Sequence, residues 1–489
     1  MCQEVDGKLE RQETEQWIEN KLPEIIRDLT RICKIRSVAE LDNPEIQPYG
    51  QGCRDVLCDM LSLGTENGFA VRNYDDYVGC ISYGGTDEAY QSKSVGIWAH
   101  LDVVDEGDVQ KWQYAPYEPC VKQGYLIARG CQDNKSSAIV GLYVMKYLKE
   151  HGIRLRHGLQ LYVGTCEEQG MYDLDYYTAH YPAPALSLVP DSGFPVCYGE
   201  RGIFNGELIS EETVSEDILE LTCNGTRAQI PDMVTIRLRA AKERLAACEG
   251  QELPEDIEIK TEAGGQVLSI TAHGVATHTA SPQRGKNALL VLTGFLTERR
   301  LLTGKDLRLF GYLHAINSDY SGRALGIFCE DEDSGPVTAA VSAAELRDGH
   351  LVLGFFSRLP IRQNDFPFEK NASEAAKEHG FTLTVKKLSK SNFFDPQRPA
   401  VGALTEVYNE LMGTDAKPFV MSGGTYASKL PNAFAFGTGM MLPKPPQGLF
   451  LPGHGDYHQP DESIALERVK RAILVYIYGI LKLNELETL

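Results

Sequence analysis

The stretch that decides the fold is Ser94-Val95-Gly96-Ile97-Trp98-Ala99-His100-Leu101-Asp102-Val103-Val104, followed by Arg129-Gly130-Cys131-Gln132-Asp133-Asn134-Lys135. Residues 94–104 are largely apolar and β-branched, which predicts a buried strand. Side chains alternate along a strand, so His100 and Asp102 should share a face at its far end. An imidazole beside an orienting carboxylate is typical of a metal ligand, and Asp133 adds a carboxylate after a loop. We therefore expect a metal site at the end of this strand.

The composition excludes several classes of protein. Of the 489 residues, 43% are apolar and 24% are charged, which indicates a folded chain and, at this length, more than one domain. The net charge of −20 argues against nucleic acid or an anionic membrane as a partner. No signal peptide is visible, the apolar run 472–481 is too short to span a bilayer, and the twelve cysteines include no Cys-x-x-Cys pair. We expect a cytoplasmic protein with reduced thiols.

Strands and helices alternate in the first part of the chain. The predicted elements are helices at 15–33 and 55–63, strands at 69–74, 77–83 and 94–104, a helix at 136–148, a strand at 159–165, a helix from about 172 and a strand at 185–189. Gly64 is expected to end the second helix, and Pro23 could mark a break or a second start in the first. This order predicts an α/β domain with its site outside the carboxyl ends of a mostly parallel sheet.

The pattern changes near residue 198, where short strands and helices begin to alternate in a way that predicts an inserted α+β domain. The first pattern resumes with a helix at 402–412, a glycine-rich turn at 422–426 and an amphipathic helix from about 462 to 483. We therefore predict a discontinuous catalytic domain, residues 1–198 and 389–489, interrupted by a domain at 199–388.

Each polar residue at these positions has an ordinary explanation when it is taken alone. A histidine such as His100 is usually structural, Asp133 could cap the following helix, and Asp191 could be a turn residue. Glu167-Glu168 could be a solvated pair, and Asp461-Glu462 could lie in the first turn of the last helix.

The common position of these residues changes the interpretation. Most of them follow successive strands and would meet at one edge of the sheet. Buried carboxylates repel one another unless a cation offsets their charge. Two histidines and three carboxylates suit two divalent ions that share one carboxylate and one water.

Five motifs, in this order, resemble those of the co-catalytic dizinc peptidases, the family that includes aminoacylases, carboxypeptidase G and carnosinases. They are His100-x-Asp102, Asp133-Asn134-Lys135, Glu167-Glu168, Pro190-Asp191-Ser192-Gly193 and His458-Gln459-x-x-Glu462. The PepV-type bacterial dipeptidases are the most similar members. The resemblance covers essentially the whole chain, including Gly199-Glu200-Arg201-Gly202 and Ser422-Gly423-Gly424-Thr425-Tyr426-Ala427. It implies a phosphorylase/hydrolase-like, mixed-sheet, three-layer catalytic domain, with the insertion acting as a lid.

The resemblance also implies a role for each residue of the metal site. Asp133 would bridge two metal ions, His100 and Asp191 would complete one site, and Glu168 and His458 would complete the other. Asp102 would orient the His100 ring. Glu167 would be the general base that activates the bridging water. The ions are expected to be zinc, although these ligand types also accept manganese or cobalt.

Further residues resemble the substrate-binding groups of the family. His278, in Gly274-Val275-Ala276-Thr277-His278, corresponds to a lid histidine that donates to the oxyanion, whereas His273 is expected to be structural. Arg358 corresponds to an arginine that holds the substrate carboxylate, a task suited to its forked guanidinium, although a surface ion pair is the alternative. Gly424 and Thr425 would contact the substrate.

The chain departs from the PepV pattern at two places. Ala228 replaces an asparagine, and Ser428-Lys429 replaces the arginine that usually follows the Gly-Gly-Thr-Tyr-Ala segment. Both changes concern the range of substrates more than the reaction. Near the C-terminus His454 competes with His458, and we choose His458 as the ligand because Gln-x-x-Glu follows it.

The expected function is hydrolysis of dipeptides or short peptides with a free N-terminus. Asp191 favours this, because relatives with aspartate there tend towards aminopeptidase and dipeptidase activity. The alternatives are an N-acyl-amino-acid amidohydrolase or a carboxypeptidase-type enzyme on the same fold, and, from another class, a non-catalytic peptide-binding pseudoenzyme. The resemblance also implies a monomer, because in the PepV type a large lid of this kind covers the site within one chain. The expected partner is a small peptide substrate.

Overall fold

The chain forms two compact units. The computed structural model describes residues 11–42, 48–85, 93–226, 229–248 and 252–489. Unit 1 consists of Met1–Gly199 and Asn392–Leu489, and unit 2 of Glu200–Ser391. The predicted role of unit 2 as a lid stays a prediction.

The secondary structure of the described residues is as follows. The helices are α1 (Arg11–Cys33), α2 (Gln51–Glu66), α3 (Ser136–Glu150), α4 (Tyr172–His180), α5 (Lys242–Cys248), α6 (Ala288–Glu298), α7 (Gly304–Asp319), α8 (Phe368–Glu378), α9 (Pro399–Met412) and α10 (Leu466–Glu485). The strands are β1 (Ala70–Tyr74), β2 (Val78–Tyr83), β3 (Val95–His100), β4 (Cys120–Lys122), β5 (Tyr125–Ile127), β6 (Leu159–Gly164), β7 (Leu186–Val189), β8 (Ser192–Gly193), β9 (Cys197–Glu200), β10 (Ile203–Thr213), β11 (Ile218–Cys223), β12 (Met233–Arg239), β13 (Ile257–Glu262), β14 (Val267–His273), β15 (Glu330–Asp331), β16 (Gly335–Pro336), β17 (Thr338–Arg347), β18 (His350–Arg358), β19 (Phe381–Leu388), β20 (Asn392–Phe393), β21 (Phe419–Met421), β22 (Ala433–Ala435), β23 (Thr438–Gly439) and β24 (Ser463–Ala465).

A mixed sheet forms the middle of unit 1, with strand order β1-β2-β6-β3-β7-β22-β9-β20. The neighbours β6, β3, β7 and β22 run parallel, whereas β1 and β2 pair antiparallel at one side. This arrangement confirms the predicted α/β class with its mixed sheet. The carboxyl ends of these four neighbouring strands therefore open on one edge, where α/β proteins place their sites.

Hydrophobic cores cover both faces of this sheet. In β3, Ile97 and Ala99 belong to one core, and the intervening Trp98 belongs to another, as the alternation of side chains along a strand requires. The first core is built mainly with α1, α2, α3, α9 and α10, and α3 is buried at every residue from Ser136 to Leu148. The second core contains Trp98 stacked on Tyr162 at 4.0 Å, together with residues of α4. Two helical layers thus enclose the sheet.

The structure corrects several of the predicted boundaries in unit 1. The central strand ends at His100 instead of Val104, because Val103 donates its main-chain N–H to Ser37 O of a loop. The helix α2 continues past Gly64 to Glu66. A Cβ at Gly64 would lie 2.9 Å from Ile81 and Val71, so this glycine permits close packing on β1 and β2 and does not end the helix.

Another corrected boundary is the start of the last helix. Helix α10 begins at Leu466 instead of residue 462, so Asp461 and Glu462 lie before it and not in its first turn. In α1, by contrast, Pro23 lies inside one continuous helix, so it marks neither a break nor a second start.

Unit 2 is an α+β structure built on two antiparallel four-stranded sheets. Their strand orders are β17-β18-β10-β19 and β11-β12-β14-β13. One core joins side chains of both sheets with α6, α7 and α8. Among the described residues, the helices lack an apolar stretch long enough to cross a membrane.

Candidate metal centre

The carboxyl ends of three parallel strands bring the predicted ligands together. His100 is the last residue of β3 and pairs in register with Gly164, the last residue of β6. Glu167 and Glu168 follow β6 within a few residues, and Asp191 follows β7 in the same way. Because β3 lies between β6 and β7, all three side-chain groups start from neighbouring points on one edge.

Asp133 lies between two imidazoles. Its Oδ1 is 3.0 Å from Nε2 of His100, and its Oδ2 is 3.2 Å from Nε2 of His458. The residue belongs to a turn that precedes α3, and its backbone conformation, with φ −125° and ψ 94°, is not helical. Asp133 is therefore not the cap of α3, whose first turn follows Lys135.

The remaining acids lie on either side of Asp133. Glu168 Oε1 is 2.9 Å from Nε2 of His458, whereas Asp191 Oδ2 is 3.8 Å from Nε2 of His100. Among the described residues, two groups of side chains offer ligand atoms within 4.8 Å of one another: His100 with Asp133 and Glu168, and His100 with Glu167 and Asp191.

These separations fit the binding of divalent ions. Ligand atoms bound to one tetrahedral zinc ion at 2.0–2.2 Å lie about 3.3 Å apart. The four imidazole–carboxylate distances range from 2.9 to 3.8 Å. Small movements of the side chains would therefore let each imidazole and carboxylate bind the same ion. Nitrogen and carboxylate donors without sulfur suit zinc, manganese or cobalt.

Without a bound cation, protons would carry the positive charge among these acids. Hydrogen bonds with Asp133 and Glu168 raise the pKa of His458 to about 10. Burial opposes the charge of His100, but its hydrogen bonds with Asp102 and Asp133 raise its pKa well above the usual value. Burial and the nearby charge of Asp133 raise the pKa of Asp191 to about 7. A cation would replace these protons and let the acids ionise.

Asp102 contacts both the histidine and the glutamate pair. Nδ1 of His100 lies 3.0 Å from the Asp102 carbonyl oxygen and 3.4 Å from its Oδ1. Each carboxylate oxygen of Asp102 also accepts a main-chain N–H at 3.0 Å, from Glu167 and from Glu168. One buried carboxylate thus positions a ring and the turn that carries two further acids.

Glu167 lies at the edge of the cluster with little exposure to solvent. Its carboxylate is close to His100 and Asp191. Burial is the main reason that its pKa is raised well above the usual value, and the negative charge of Asp191 adds to this effect. A carboxylate that favours the protonated state can accept a proton and keep it through a reaction step.

A comparison with known protein families decides the relationship of the chain. Residues 96–482, most of the sequence, match the model of peptidase family M20/M25/M40. The chain belongs to this family. The family assignment confirms the resemblance to metallopeptidases inferred from the five motifs.

Individual relatives of this family extend over nearly the whole chain. The Beta-Ala-Xaa dipeptidase of Lactobacillus delbrueckii subsp. lactis is 28% identical over 488 residues, which cover 96% of this chain and 98% of the relative. Human carnosine dipeptidase 1 has a similar structure, with a TM-score of 0.56, 14% identity and coverage of 97% of this chain and 99% of that one. Aminoacylhistidine dipeptidase from Vibrio alginolyticus gives a TM-score of 0.57, 14% identity and coverage of 94% and 96%. The two structures show that the fold of the family is shared.

Unit 2 carries the predicted substrate groups His278 and Arg358. Nδ1 of His278 accepts the main-chain N–H of Ala280 at 3.0 Å, so the neutral ring carries its proton on Nε2. Arg358 is 8% exposed, and its buried Nε and Nη1 have no hydrogen-bond partner among the described residues. Burial and the charge of Arg201 lower the pKa of Arg358 to about 10. An anion would satisfy this guanidinium, which is not paired as a surface ion pair would be.

Other predicted residues have simpler surroundings. Thr425 is buried, and its hydroxyl accepts the N–H of Ala427 at 3.1 Å, whereas Gly424 is exposed. His454 lies 2.7 Å from Asp461 through Nδ1, and His273 lies 3.9 Å from Glu258. Ala228, the predicted departure from the PepV pattern, lies outside the described residues.

Sequence reasoning did not assign several residues that support the site. Nδ2 of Asn134 donates to Asp191 Oδ1 at 2.9 Å. Asp173, at the start of α4, accepts the main-chain N–H groups of Thr165 and Cys166 at 2.8 and 3.0 Å, and the hydroxyl of Tyr426. Asp173 therefore holds the segment just before Glu167. The quoted motifs included Asn134 and Tyr426, but no spacing in the sequence indicates that Asp173 contacts Tyr426.

Proposed function

We propose that the protein is a metal-dependent dipeptidase that hydrolyses dipeptides or short peptides with a free N-terminus. The observation that carries this proposal is the Asp133 carboxylate, which presents one oxygen to each of two imidazoles. A carboxylate in this position suits the bridge between two metal ions. Membership of a peptidase family and the similarity to a Beta-Ala-Xaa dipeptidase support the reaction.

The contacts of Asp133 with His100 and His458 support the proposed ligands. His100, Asp133 and Asp191 would hold one ion, and Asp133, Glu168 and His458 the other. The ions are proposed to be zinc, with manganese or cobalt as alternatives. A pair of such ions supplies a polarised carbonyl and a water of lowered pKa.

The protein's own groups would then move the protons. Glu167 accepts a proton from the attacking water and returns it to the amine leaving group. Asp102 keeps Glu167 in position through the main-chain N–H of that residue. His278 can donate from Nε2 to the developing oxyanion, and Arg358 can hold the substrate carboxylate through its unpaired nitrogens. Gly424 and Thr425 would complete substrate binding. Each of these roles is part of the proposal.

A test combines metal analysis with three substrates. Purified protein without chelator is assayed with Ala-Ala, β-Ala-His and an N-acetyl amino acid, and its metal content is measured. Two divalent ions per chain and preferred turnover of the dipeptides are the expected result. Preferred turnover of the N-acetyl amino acid would favour an amidohydrolase. Failure to bind zinc or manganese would contradict the proposal and favour a pseudoenzyme. Sedimentation is expected to give a monomer.

A further inference from the structure

Glu462 is a buried acid in unit 1 that is not among the proposed metal ligands. It is 1% exposed, and its carboxylate accepts four hydrogen bonds. Oε2 accepts Nη1 of Arg129 at 2.8 Å and the N–H of Gly130 at 2.9 Å. Oε1 accepts the N–H of Gln132 at 2.9 Å and that of Asp133 at 3.0 Å. The last of these donors belongs to the residue between the two imidazoles.

The turn at 130–133 depends on this carboxylate because its backbone has few other partners. The N–H of Cys131 goes to Ala128 O, and that of Lys135 goes to Gly130 O. The N–H groups of residues 130, 132 and 133 all go to Glu462. A buried N–H without an acceptor is costly, so the path of this turn follows the position of the carboxylate.

Glu462 itself has a fixed position. Its main-chain oxygen accepts the N–H of Ala128 at 3.0 Å, and the following strand β24 pairs with β5. The Arg129 guanidinium that neutralises it is 2% exposed and lies over the Trp112 ring at 5.0 Å. A strand and a buried ion pair therefore hold the acceptor to which the turn is attached.

We propose that Glu462 is a positioning residue that holds the Asp133 carboxylate between His100 and His458, where both proposed ions would share it. This inference rests on the proposed function, because it takes Asp133 as the shared ligand. Glu462 would not touch the ions or the substrate. Its charge matters because an amide in its place would turn an NH₂ group towards two of the four donors, either the N–H groups of Gln132 and Asp133 or those of Arg129 and Gly130.

The test variant is Glu462→Gln, and the matched control is Asp461→Asn. Asp461 is also fully buried; it accepts the N–H groups of Gln113 and Tyr114 at 2.7 and 3.0 Å and lies 2.7 Å from Nδ1 of His454. Among the described residues, these hydrogen bonds do not involve the turn 130–133. Both variants replace a buried carboxylate by an amide at adjacent positions. The readouts are titration of metal-free protein with Co²⁺, followed by its visible absorption, and kcat and KM for Ala-Ala.

Glu462→Gln is expected to lose about 10- to 100-fold in Co²⁺ affinity, with an altered absorption spectrum and a lower kcat at similar KM. Asp461→Asn is expected to lower the melting temperature while Co²⁺ affinity stays within about twofold of wild type. An equal loss of Co²⁺ affinity in both variants, or unchanged affinity in Glu462→Gln, would overturn the inference. If Glu462→Gln does not fold, Glu462→Asp, which keeps the charge but shortens the side chain, is judged by the same comparison. Failure of wild type to bind Co²⁺ would instead contradict the proposed function.

Discussion

Asp102→Asn is the substitution whose effect follows most directly from the structure. The two oxygens of Asp102 each accept one main-chain N–H, from Glu167 and from Glu168. Asparagine offers one oxygen and one NH₂ group, so either orientation sets an NH₂ against one of these donors. If the oxygen faces Glu167, it also remains near Nδ1 of His100, and the N–H of Glu168 loses its acceptor.

The expected loss of stability follows from one buried main-chain N–H group that would lack an acceptor. Such a group costs about 1–3 kcal/mol, which we expect as the loss in free energy of unfolding of the metal-free protein. The loss of an orienting carboxylate next to a ligand should also weaken metal binding about 10- to 100-fold. Displacement of the Glu167 turn should lower kcat.

The assay can follow unit 1 alone, because the three tryptophans Trp17, Trp98 and Trp112 all lie there. Urea unfolding is monitored by tryptophan fluorescence with chelator present, and zinc affinity is measured by competition with a chromophoric chelator. Asp28→Asn is the control, because Asp28 is buried and accepts the Tyr143 hydroxyl at 2.8 Å. A folded Asp102→Asn protein with wild-type zinc affinity and kcat would refute the reasoning.

Three further predictions concern catalysis, substrate binding and pH. Glu167→Gln should keep both metal ions and lose about 10²- to 10⁴-fold in kcat, which metal analysis and steady-state kinetics measure; near-normal turnover would exclude Glu167 as the base. Arg358→Lys should lower kcat/KM for Ala-Ala about 10- to 100-fold, mainly through KM, and should change little for a dipeptide amide; an equal loss on both substrates would contradict a carboxylate-binding role. Because hydrogen bonds raise the pKa of His458 to about 10, its protonated form contributes stability below pH 6.5 that the metal-free protein loses as the pH rises through about 10. Metal must displace this proton, so the apparent zinc affinity should keep rising above pH 7, and calorimetry in two buffers should detect proton release; a plateau at neutral pH would contradict this.

The alternation of strands and helices made the α/β class and the edge of the sheet predictable. A buried strand has a strong apolar signal, and polar residues directly after it stand out. His100, Glu167 and Asp191 were found in this way, because the carboxyl ends of neighbouring parallel strands must meet. The family motifs then extended the set to His458, which no local pattern connects with the strands.

The ends of the helices and the contacts that support the candidate site were harder to predict from the sequence. Gly64 was expected to end a helix, but the decisive fact is the distance of 2.9 Å that a Cβ there would have from Ile81. Glu462 was interpreted as part of a helix, whereas the structure buries it beneath a turn more than three hundred residues earlier in the chain. Such contacts join segments that are far apart in the chain. They have no fixed spacing along the sequence, so no sequence pattern indicates them.

For this protein the sequence alone predicted the fold class, the order of the motifs and the residue types of the candidate site. Those properties depend on apolar periodicity and on residue type, both of which are local. Only the tertiary structure decided that Asp133 presents one oxygen to each imidazole, that Asp102 holds the turn of Glu167 and Glu168, and that Glu462 holds the turn of Asp133. Each of these arrangements depends on which N–H groups lie within hydrogen-bonding distance of a buried carboxylate. The packing of the folded chain brings those groups together.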